Sequence, residues 1–167
     1  GNTPDYRIVP DAVVLKIGGQ SIIDRGRAAL YPILDELRQN FRAGKKMVIT
    51  TGAGTRARHA YSVAIDLGLP TGILGVLGEF VSMQNARMVH WLLARDGIPY
   101  VEPTGISQVP IYLAQRNAVV MRGMPPYIFW MRNPEIGRIP PYRTDTGTFL
   151  FAEFYGVRDL LYIKDEK

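Results

Sequence analysis

The sequence predicts an α/β protein in which helices cover both faces of a parallel sheet, and three observations lead to this fold class. Short apolar runs rich in valine and isoleucine alternate with longer segments whose apolar residues recur at helical spacing. Glycine-rich turns follow the first two runs. A length of 167 residues with a hydrophobic content of 47% suits one core. We therefore expect residues 11–167 to form one domain, preceded by an extension over residues 1–10.

The first half of the chain predicts two successive units of strand, loop and helix. Residues 11–17 are the kind of apolar run found in strands that are buried on both faces. A helix is expected over 25–41, where the apolar positions follow helical spacing. Residues 46–51 predict the second strand, and the helix after its glycine turn is expected to end at Gly68. The repetition of this unit favours parallel strands joined by right-handed crossovers.

The second half predicts a longer and less regular series of elements. In chain order we expect a helix over 79–95, strands over 98–103 and 117–122, a helix from Thr144 and a last strand over 160–164. Residues 123–143 contain five prolines and a run of aromatic residues, which indicates a long irregular loop. The helical spacing of Met83, Met88 and Trp91 predicts that these side chains lie in the core.

Composition narrows the class of protein. The net charge is +5, but the basic residues are scattered between apolar segments, so an anionic small ligand explains the charge better than nucleic acid. The lack of cysteine excludes disulfides, thiolate metal sites and a cysteine nucleophile. Neither a membrane-spanning run nor a secretion signal is apparent, so we expect a cytoplasmic protein without a membrane partner. Because the chain stops directly after its last predicted strand, we also expect it to be a fragment.

The first motif with chemical meaning lies at the end of the first predicted strand, where Lys16 is followed by Gly18, Gly19 and Gln20. Open α/β sheets bind their ligands at this end of the strands. Backbone N–H groups of glycines can approach phosphate oxygens closely, and a lysine can neutralise charge on a transferred phosphoryl group. A purely structural strand-to-helix turn would carry a similar glycine pair, so that alternative stays open.

A second glycine loop follows the second predicted strand and contains Gly52, Ala53 and Gly54. Arg56 and Arg58 come next, and their forked guanidinium donors suit an oxyanion. Neither loop has the Walker spacing of a P-loop or the GxGxxG pattern of a dinucleotide-binding turn. The two loops together predict a phosphate site of another type.

A third polar motif, Thr144, Asp145 and Thr146, stands at the start of a predicted helix. A threonine or aspartate there can simply cap the helix. Beside two phosphate-binding loops, the aspartate can instead orient a catalytic lysine or a water bound to magnesium, and the hydroxyls can bond a second ligand. Both interpretations stay open.

Other polar and aromatic positions are interpreted as structural. His59 and His90 lack a carboxylate at metal-ligand spacing, so we regard them as structural or surface residues and not as a zinc pair. The aromatic segment 127–132 could stack on a ring or a large anion, but an oligomer interface is the favoured interpretation.

The strings KIGG, TGAGTRAR and PPYRTDTG, in this order, resemble the amino-acid kinase family, which includes bacterial uridylate kinases. The resemblance covers essentially the whole chain. The longer strings VVLKIGGQSIIDRGRAALYP and IPPYRTDTG look closer to one branch of the family, which stores molybdenum or tungsten. The fold implied is the parallel-sheet sandwich of the amino-acid kinases, with the carboxyl-terminal nucleotide lobe truncated in this sequence.

The resemblance also implies roles for individual residues. Lys16 and Asp145 are the implied catalytic residues, the lysine on ATP phosphates and the aspartate organising the catalytic lysines. The implied nucleotide- or phosphate-binding residues are Gly18, Gly19, Gln20, Gly52, Ala53, Gly54, Arg58, Thr144, Thr146 and Lys164. The resemblance implies no particular metal ligand.

Three differences from related chains shape the expected function. Gly75 stands where the kinases carry an acidic residue for the ribose of the acceptor, which disfavours a nucleoside monophosphate as substrate. After Lys164 the chain ends within three residues, where the kinases continue with V-D-G and their ATP-binding lobe. Segment 127–132 replaces the histidine-rich stretch of α-type storage subunits, so the chain resembles the β type.

The function expected from this resemblance is storage of molybdate or tungstate as polyoxometalate clusters, driven by ATP with Mg²⁺. The expected assembly is an α3β3 hetero-hexameric cage in which this chain is a β-like, nucleotide-binding subunit beside an α-type partner. Two alternatives stay open: a small-molecule kinase of the uridylate kinase type, and a structural subunit that binds nucleotide without turnover.

Overall fold

Four parallel strands form the sheet of the computed structural model, which describes residues 6–123 and 144–164, without the side chains of residues 144–147, 150 and 154. In this part of the chain the helices and strands are β1 (Val13–Ile17), α1 (Arg27–Arg42), β2 (Met47–Thr51), α2 (Thr55–Asp66), α3 (Gly72–Leu93), α4 (Val109–Arg116), β3 (Ala118–Val120), α5 (Thr144–Tyr155) and β4 (Asp159–Ile163). The strand order is β3-β2-β1-β4. The predicted α/β class with a parallel sheet is confirmed.

The position of β1 inside the sheet decides where the loops meet. It pairs in parallel with β2 on one side and with β4 on the other, so that Lys16 lies opposite Thr50 and Tyr162. Because all strands run in the same direction, the chain leaves β1 and β2 at one edge of the sheet. The two glycine loops therefore start next to each other.

Alternate residues of the central strands face two separate layers of the core. On one face, Ile17 belongs to a cluster with Leu34 of α1 and Val89 of α3. On the other face, Val14 belongs to a cluster with Leu113 of α4 and with residues of α5. Burial on both faces explains why β1 and β2 are uniformly apolar along most of their length.

Helix α3 begins at Gly72, seven residues before the predicted start at residue 79. This earlier start is not apparent from the sequence, because glycines at 72, 75 and 78 lower intrinsic helix propensity. Tertiary packing provides the reason for at least one of them, since a Cβ on Gly78 would collide with the hydroxyl of Tyr61 on α2. The helix ends close to the predicted point, with a short 3-10 turn at Ala94–Asp96 and a left-handed Gly97.

The strand predicted over 98–103 does not form. Only Tyr100 makes a parallel bridge, to Val120 of β3, and a 3-10 helix starts at Pro103. Prolines at both 99 and 103 lack the N–H that a ladder requires, which explains why pairing stops after one bridge. The strand predicted over 117–122 is shorter than expected, because Asn117 adopts a left-handed conformation that ends α4.

Two further expectations about burial are wrong. Met88 and Trp91 lie on the outer face of α3, where 67% of the Trp91 surface is exposed, so they are not core residues. The last strand is present, but Leu161 and Tyr162 of β4 are about half exposed, so helices do not cover both faces of the sheet at this strand. Apart from Gly123, the predicted loop over 123–143 lies outside the described residues. None of the helices in the described ranges combines the length and hydrophobicity that crossing a membrane requires.

Candidate functional site

The two glycine loops touch each other through their backbones. A Cβ placed on Gly19 would lie 2.6 Å from both the carbonyl carbon of Ala53 and the nitrogen of Gly54. A Cβ on Gly52 would lie 2.9 Å from the nitrogen of Gly19. No side chain fits at either position without moving backbone, so the glycines are required for the contact itself. The adjacency predicted from the two strand ends is therefore present.

Lys16 lies beneath this contact as a buried cation. Its side chain belongs to the last part of β1 and is only 5% exposed. Its Nζ lies 3.3 Å from the Cβ position of Gly52, which places the ammonium against the second loop. A charge this well buried requires polar partners, and phosphate oxygens at the loop surface would supply an opposite charge.

Asn85, on the face of α3 that packs against the sheet, holds the second loop. Its amide nitrogen donates to the carbonyl oxygens of Gly52 and Ala53, at 2.8 Å each, and its side chain is fully buried. Its amide oxygen accepts from the guanidinium of Arg56, which also donates to Gln84 at 3.0 Å. Sequence reasoning missed Asn85, although a polar residue among the apolar positions of α3 was the available signal.

Ser82, one turn before Asn85, ties the end of β2 to the chain after β3. Its hydroxyl donates to the carbonyl oxygen of Thr51 and accepts from the N–H of Gly123, at 2.9 and 3.0 Å. Thr51 returns a bond from its own hydroxyl to the Ser82 carbonyl, at 2.9 Å. All of these groups are buried. The start of the second loop is thereby fixed relative to two other elements.

Asp24 is, like Asn85 and Ser82, a residue that the sequence did not single out. Its carboxylate accepts from the backbone N–H of Thr55 at 2.7 Å and so caps the start of α2, while its own N–H donates to the carbonyl of Gly19 at 2.8 Å. Its other oxygen lies 4.0 Å from the Arg56 guanidinium. Asp24 thus connects the two loops, through its backbone N–H to Gly19 and its carboxylate to Thr55, and the carboxylate provides the negative charge that helix N-termini favour.

Several backbone donors at the loops lack a partner within the described residues. The N–H groups of Gly19, Gln20, Ala53 and Gly54 donate to no group there. Gly54 has a φ of +89°, a conformation that glycine adopts far more readily than other residues. Unpaired N–H groups beside a buried ammonium form an arrangement suited to binding an oxyanion.

Two other predicted residues, Arg58 and Lys164, are exposed. Arg58 is exposed on α2, and its guanidinium forms no ion pair within the described part of the chain. Lys164 follows β4, is exposed and lies with its Nζ 5.6 Å from the ring centroid of Tyr162. The carbonyl of Ile163 accepts from Gly18 at 2.9 Å, so the end of β4 does adjoin the first loop.

Thr144, Asp145 and Thr146 form the first turn of α5, and their side chains lie outside the described residues. Their position along the helix is nevertheless informative. Thr148, one turn later, is buried with its hydroxyl 3.3 Å from that of Thr50, the residue beside Lys16 in the sheet. The start of α5 therefore lies near the carboxyl edge of β1 and β2.

A separate charged network lies where β3 ends. Arg122 forms ion pairs with Glu79 at 3.1 Å and Glu102 at 3.7 Å, and Arg87 pairs with Glu102 at 3.0 Å and stacks over Tyr100. Burial raises the pKa of the Glu79 carboxyl, and the nearby charge of Arg122 partly opposes that effect. Burial likewise raises the pKa of the Tyr100 hydroxyl. Nothing in the sequence pattern predicted this network.

The two histidines lie on different helices, α2 and α3. His59 is exposed on α2, whereas His90 is partly buried against Tyr100, where burial lowers its pKa. Within the described residues no three His, Asp or Glu side chains are grouped as metal ligands. The aromatic segment 127–132 lies outside the described ranges.

Comparison with known proteins gives consistent similarities. A model of the amino acid kinase family matches residues 11–167. The molybdenum storage protein subunit beta of Azotobacter vinelandii is 58% identical over 162 residues, which cover 97% of this chain and 60% of that protein. The uridylate kinase of Metallosphaera sedula is 28% identical over 115 residues, covering 68% of this chain and 50% of that enzyme.

The fold is also similar to a solved structure. The uridylate kinase from Archaeoglobus fulgidus matches with a TM-score of 0.67 and 18% sequence identity, over 92% of this chain and 64% of that one. The chain thus spans between half and two thirds of the length of these relatives.

Proposed function

Because this chain belongs to the amino acid kinase family, we propose that it binds the phosphates of ATP at the two glycine loops and serves in the storage of molybdate or tungstate. In this proposal it is a β-like subunit of an oligomeric cage, with an α-type partner in an α3β3 hetero-hexamer. ATP hydrolysis drives deposition of the oxyanions as polyoxometalate clusters. The observation that carries the storage role is the 58% identity to a molybdenum storage protein subunit over 97% of the chain.

The nucleotide-binding part of the proposal is supported by the contact between the loops. Because the backbones of the two loops are in contact at Gly19 and Gly54, the N–H groups of both loops that lack a partner within the described residues lie close together, where phosphate oxygens can accept from them. Lys16 supplies a fixed positive charge at the same place. In phosphoryl transfer most of the catalysis comes from positioning and charge stabilisation, which a buried lysine and aligned N–H groups can provide.

Asp145 is proposed to act from the start of α5, orienting Lys16 or a water held by Mg²⁺. The buried contact between Thr148 and Thr50 supports this placement, since it brings the beginning of α5 toward the strand edge where Lys16 lies. When bound, Mg²⁺ neutralises phosphate charge. Thr144 and Thr146 would then bond phosphate oxygens, and Gln20, Arg58 and Lys164 would complete the phosphate contacts.

Loading of the intact protein with metal tests this function. The purified protein would be incubated with molybdate or tungstate, with and without Mg·ATP, and the retained metal measured by elemental analysis. We expect metal in stoichiometric excess only when ATP is hydrolysed. Lys16→Ala should reduce loading and hydrolysis by about tenfold or more, because it removes one charge that stabilises the transferred phosphoryl group. Lys45→Ala, which removes an exposed lysine, is the matched control and should load normally.

Unchanged loading by the Lys16→Ala variant would contradict the assigned role of Lys16. A protein that never retains molybdenum or tungsten would contradict the storage role itself.

A small-molecule kinase is the second candidate function, and the 28% identity to the uridylate kinase of Metallosphaera sedula supports it. Such an enzyme uses the same phosphate loops but requires an organic acceptor. Hydrolysis of ATP in a coupled assay should then depend on uridylate or another acceptor and not on molybdate. A third candidate is a structural subunit, for which nucleotide would bind to the assembly without being hydrolysed by this chain.

A further inference from the structure

We propose that Asn85 is the positioning residue that makes the second glycine loop an anion-binding loop. The inference rests on the proposed binding of nucleotide phosphates. It concerns how the donors of Ala53 and Gly54 are aimed, and Asn85 itself need not touch the ligand.

The argument starts from two successive carbonyl groups. Asn85 donates to the oxygens of Gly52 and Ala53 from one amide nitrogen, at 2.8 Å each. A single –NH₂ group has two hydrogens, so these two bonds use its whole donor capacity. Both carbonyls must therefore point toward α3.

Peptide planarity then fixes the direction of the next two N–H groups. No peptide bond in the described residues is cis, and in a trans peptide the C=O and the following N–H point in opposite directions. The N–H of Ala53 follows the Gly52 carbonyl, and the N–H of Gly54 follows the Ala53 carbonyl. Both N–H groups consequently point away from Asn85. Neither donates to another group in the described part of the chain.

The surroundings of Asn85 keep its amide in this orientation. Its oxygen accepts from the Arg56 guanidinium, so the nitrogen is the end that faces the carbonyls. Arg56 is in turn held by Gln84 and lies near Asp24. Asn85 is fully buried, so water does not compete with the two carbonyls for its amide nitrogen.

Asparagine is also the residue type that the geometry requires. An aspartate has nearly the same shape but would place oxygens against the two carbonyl oxygens and would have no hydrogen to donate. A leucine would fill the space but would leave the buried Gly52 carbonyl and the part-buried Ala53 carbonyl without this donor. In either case the loop would be expected to turn its carbonyls elsewhere, and its N–H groups would lose their common direction.

The test compares Asn85→Asp with wild type and with Val89→Ala in the intact protein. Val89 is a fully buried core residue on α3 and has no polar contact with the loop, so this variant controls for destabilisation. Each protein would first be shown by circular dichroism to be folded at the assay temperature. Binding of Mg·ATP would then be measured by titration calorimetry. We expect Asn85→Asp to bind about tenfold or more weakly, while Val89→Ala binds like wild type.

A second measurement reports on the loop without any nucleotide. Proton–nitrogen NMR spectra of selectively labelled protein would follow the backbone signals of Ala53 and Gly54 during titration with inorganic phosphate. In wild type and Val89→Ala these signals should shift with phosphate, whereas in Asn85→Asp they should not. If Asn85→Asp does not fold, Asn85→Ser keeps one donor and should show an intermediate loss of binding.

The outcomes separate this inference from the proposed function. If wild-type protein binds neither Mg·ATP nor phosphate, the proposed nucleotide binding is contradicted, and the inference that rests on it is contradicted as well. A wild-type protein that binds Mg·ATP, together with a folded Asn85 variant that binds within about twofold of it, would overturn the role of Asn85 alone.

Discussion

Replacing Gly19 by alanine perturbs the point where the two loops meet. The added Cβ would lie 2.6 Å from the carbonyl carbon of Ala53 and from the nitrogen of Gly54. Ordinary contacts between such atoms are about 3.5–4.0 Å, so one loop must move by roughly 1 Å. Because the opposing atoms are backbone and cannot change rotamer, we expect a cost near the top of the usual overpacking range of about 1–3 kcal/mol.

The assay is urea unfolding followed by circular dichroism, with Mg·ATP binding measured on the same samples. A loss of about 3 kcal/mol lowers the urea midpoint by about 1–2 M when the slope is about 2 kcal/mol per M. Displacement of the loop should also weaken Mg·ATP binding. The matched control is Gly72→Ala in the first turn of α3, where a Cβ meets nothing within 4 Å and φ is not positive. That variant should match wild type or gain up to about 1 kcal/mol of stability.

Equal stability of the two variants would refute this reasoning. It would mean that the loops can separate freely, and that the glycine at position 19 is not required for their contact.

Two other predictions concern stability alone. Burial raises the pKa of Glu79 above its unfolded value, so its contribution to stability is present at low pH and is lost as pH rises through the folded pKa. The unfolding free energy of Glu79→Gln minus that of wild type, measured by urea unfolding, should therefore be larger at about pH 7 than at about pH 4. If this difference does not change with pH, the assignment is contradicted. Asn117 ends α4 with a φ of 65°, which glycine adopts more readily than alanine. Asn117→Gly should therefore keep or slightly raise the unfolding free energy, while Asn117→Ala should lower it by about 1 kcal/mol. Similar values for the two variants would argue against a conformational role at this position.

The parts of the fold that followed from the sequence are those in which local pattern and tertiary structure agree. The mainly apolar runs around Leu15 and Ile49 predicted strands, and the sheet buries both faces of these strands. The glycine turns after them predicted adjacent loops, because the ends of neighbouring parallel strands meet at one edge. Lys16 and Gly19 could be selected on that basis alone.

The residues that escaped prediction owe their roles to partners distant in sequence. Asn85 and Ser82 are polar residues in a helix, and only the fold shows that they face loop carbonyls rather than solvent. Asp24 caps a helix that starts 31 residues later, so no local capping pattern marked it. Gly78 lowers helix propensity within α3, and its close packing against Tyr61 of α2 is visible only in the fold.

The errors about burial have a similar cause. Trp91 follows the apolar spacing of α3, but periodicity alone does not distinguish a face covered by the sheet from one that is not. The strand predicted at 98–103 does not form for another reason. Its isoleucine, tyrosine and valine favour a strand, but its two prolines lack the N–H that strand pairing requires.

The inner position of β1 also has a consequence for how the protein reaches its native state. Lys16 is synthesised early, but one of its neighbours in the sheet is Tyr162, from the far end of the chain. Contacts between segments so distant in sequence form slowly, because a long loop must close before they are gained. While β4 is missing, one edge of β1 is unpaired and available for association with other chains. The proposed phosphate site should therefore be completed late in refolding, after most of the helical signal has been recovered.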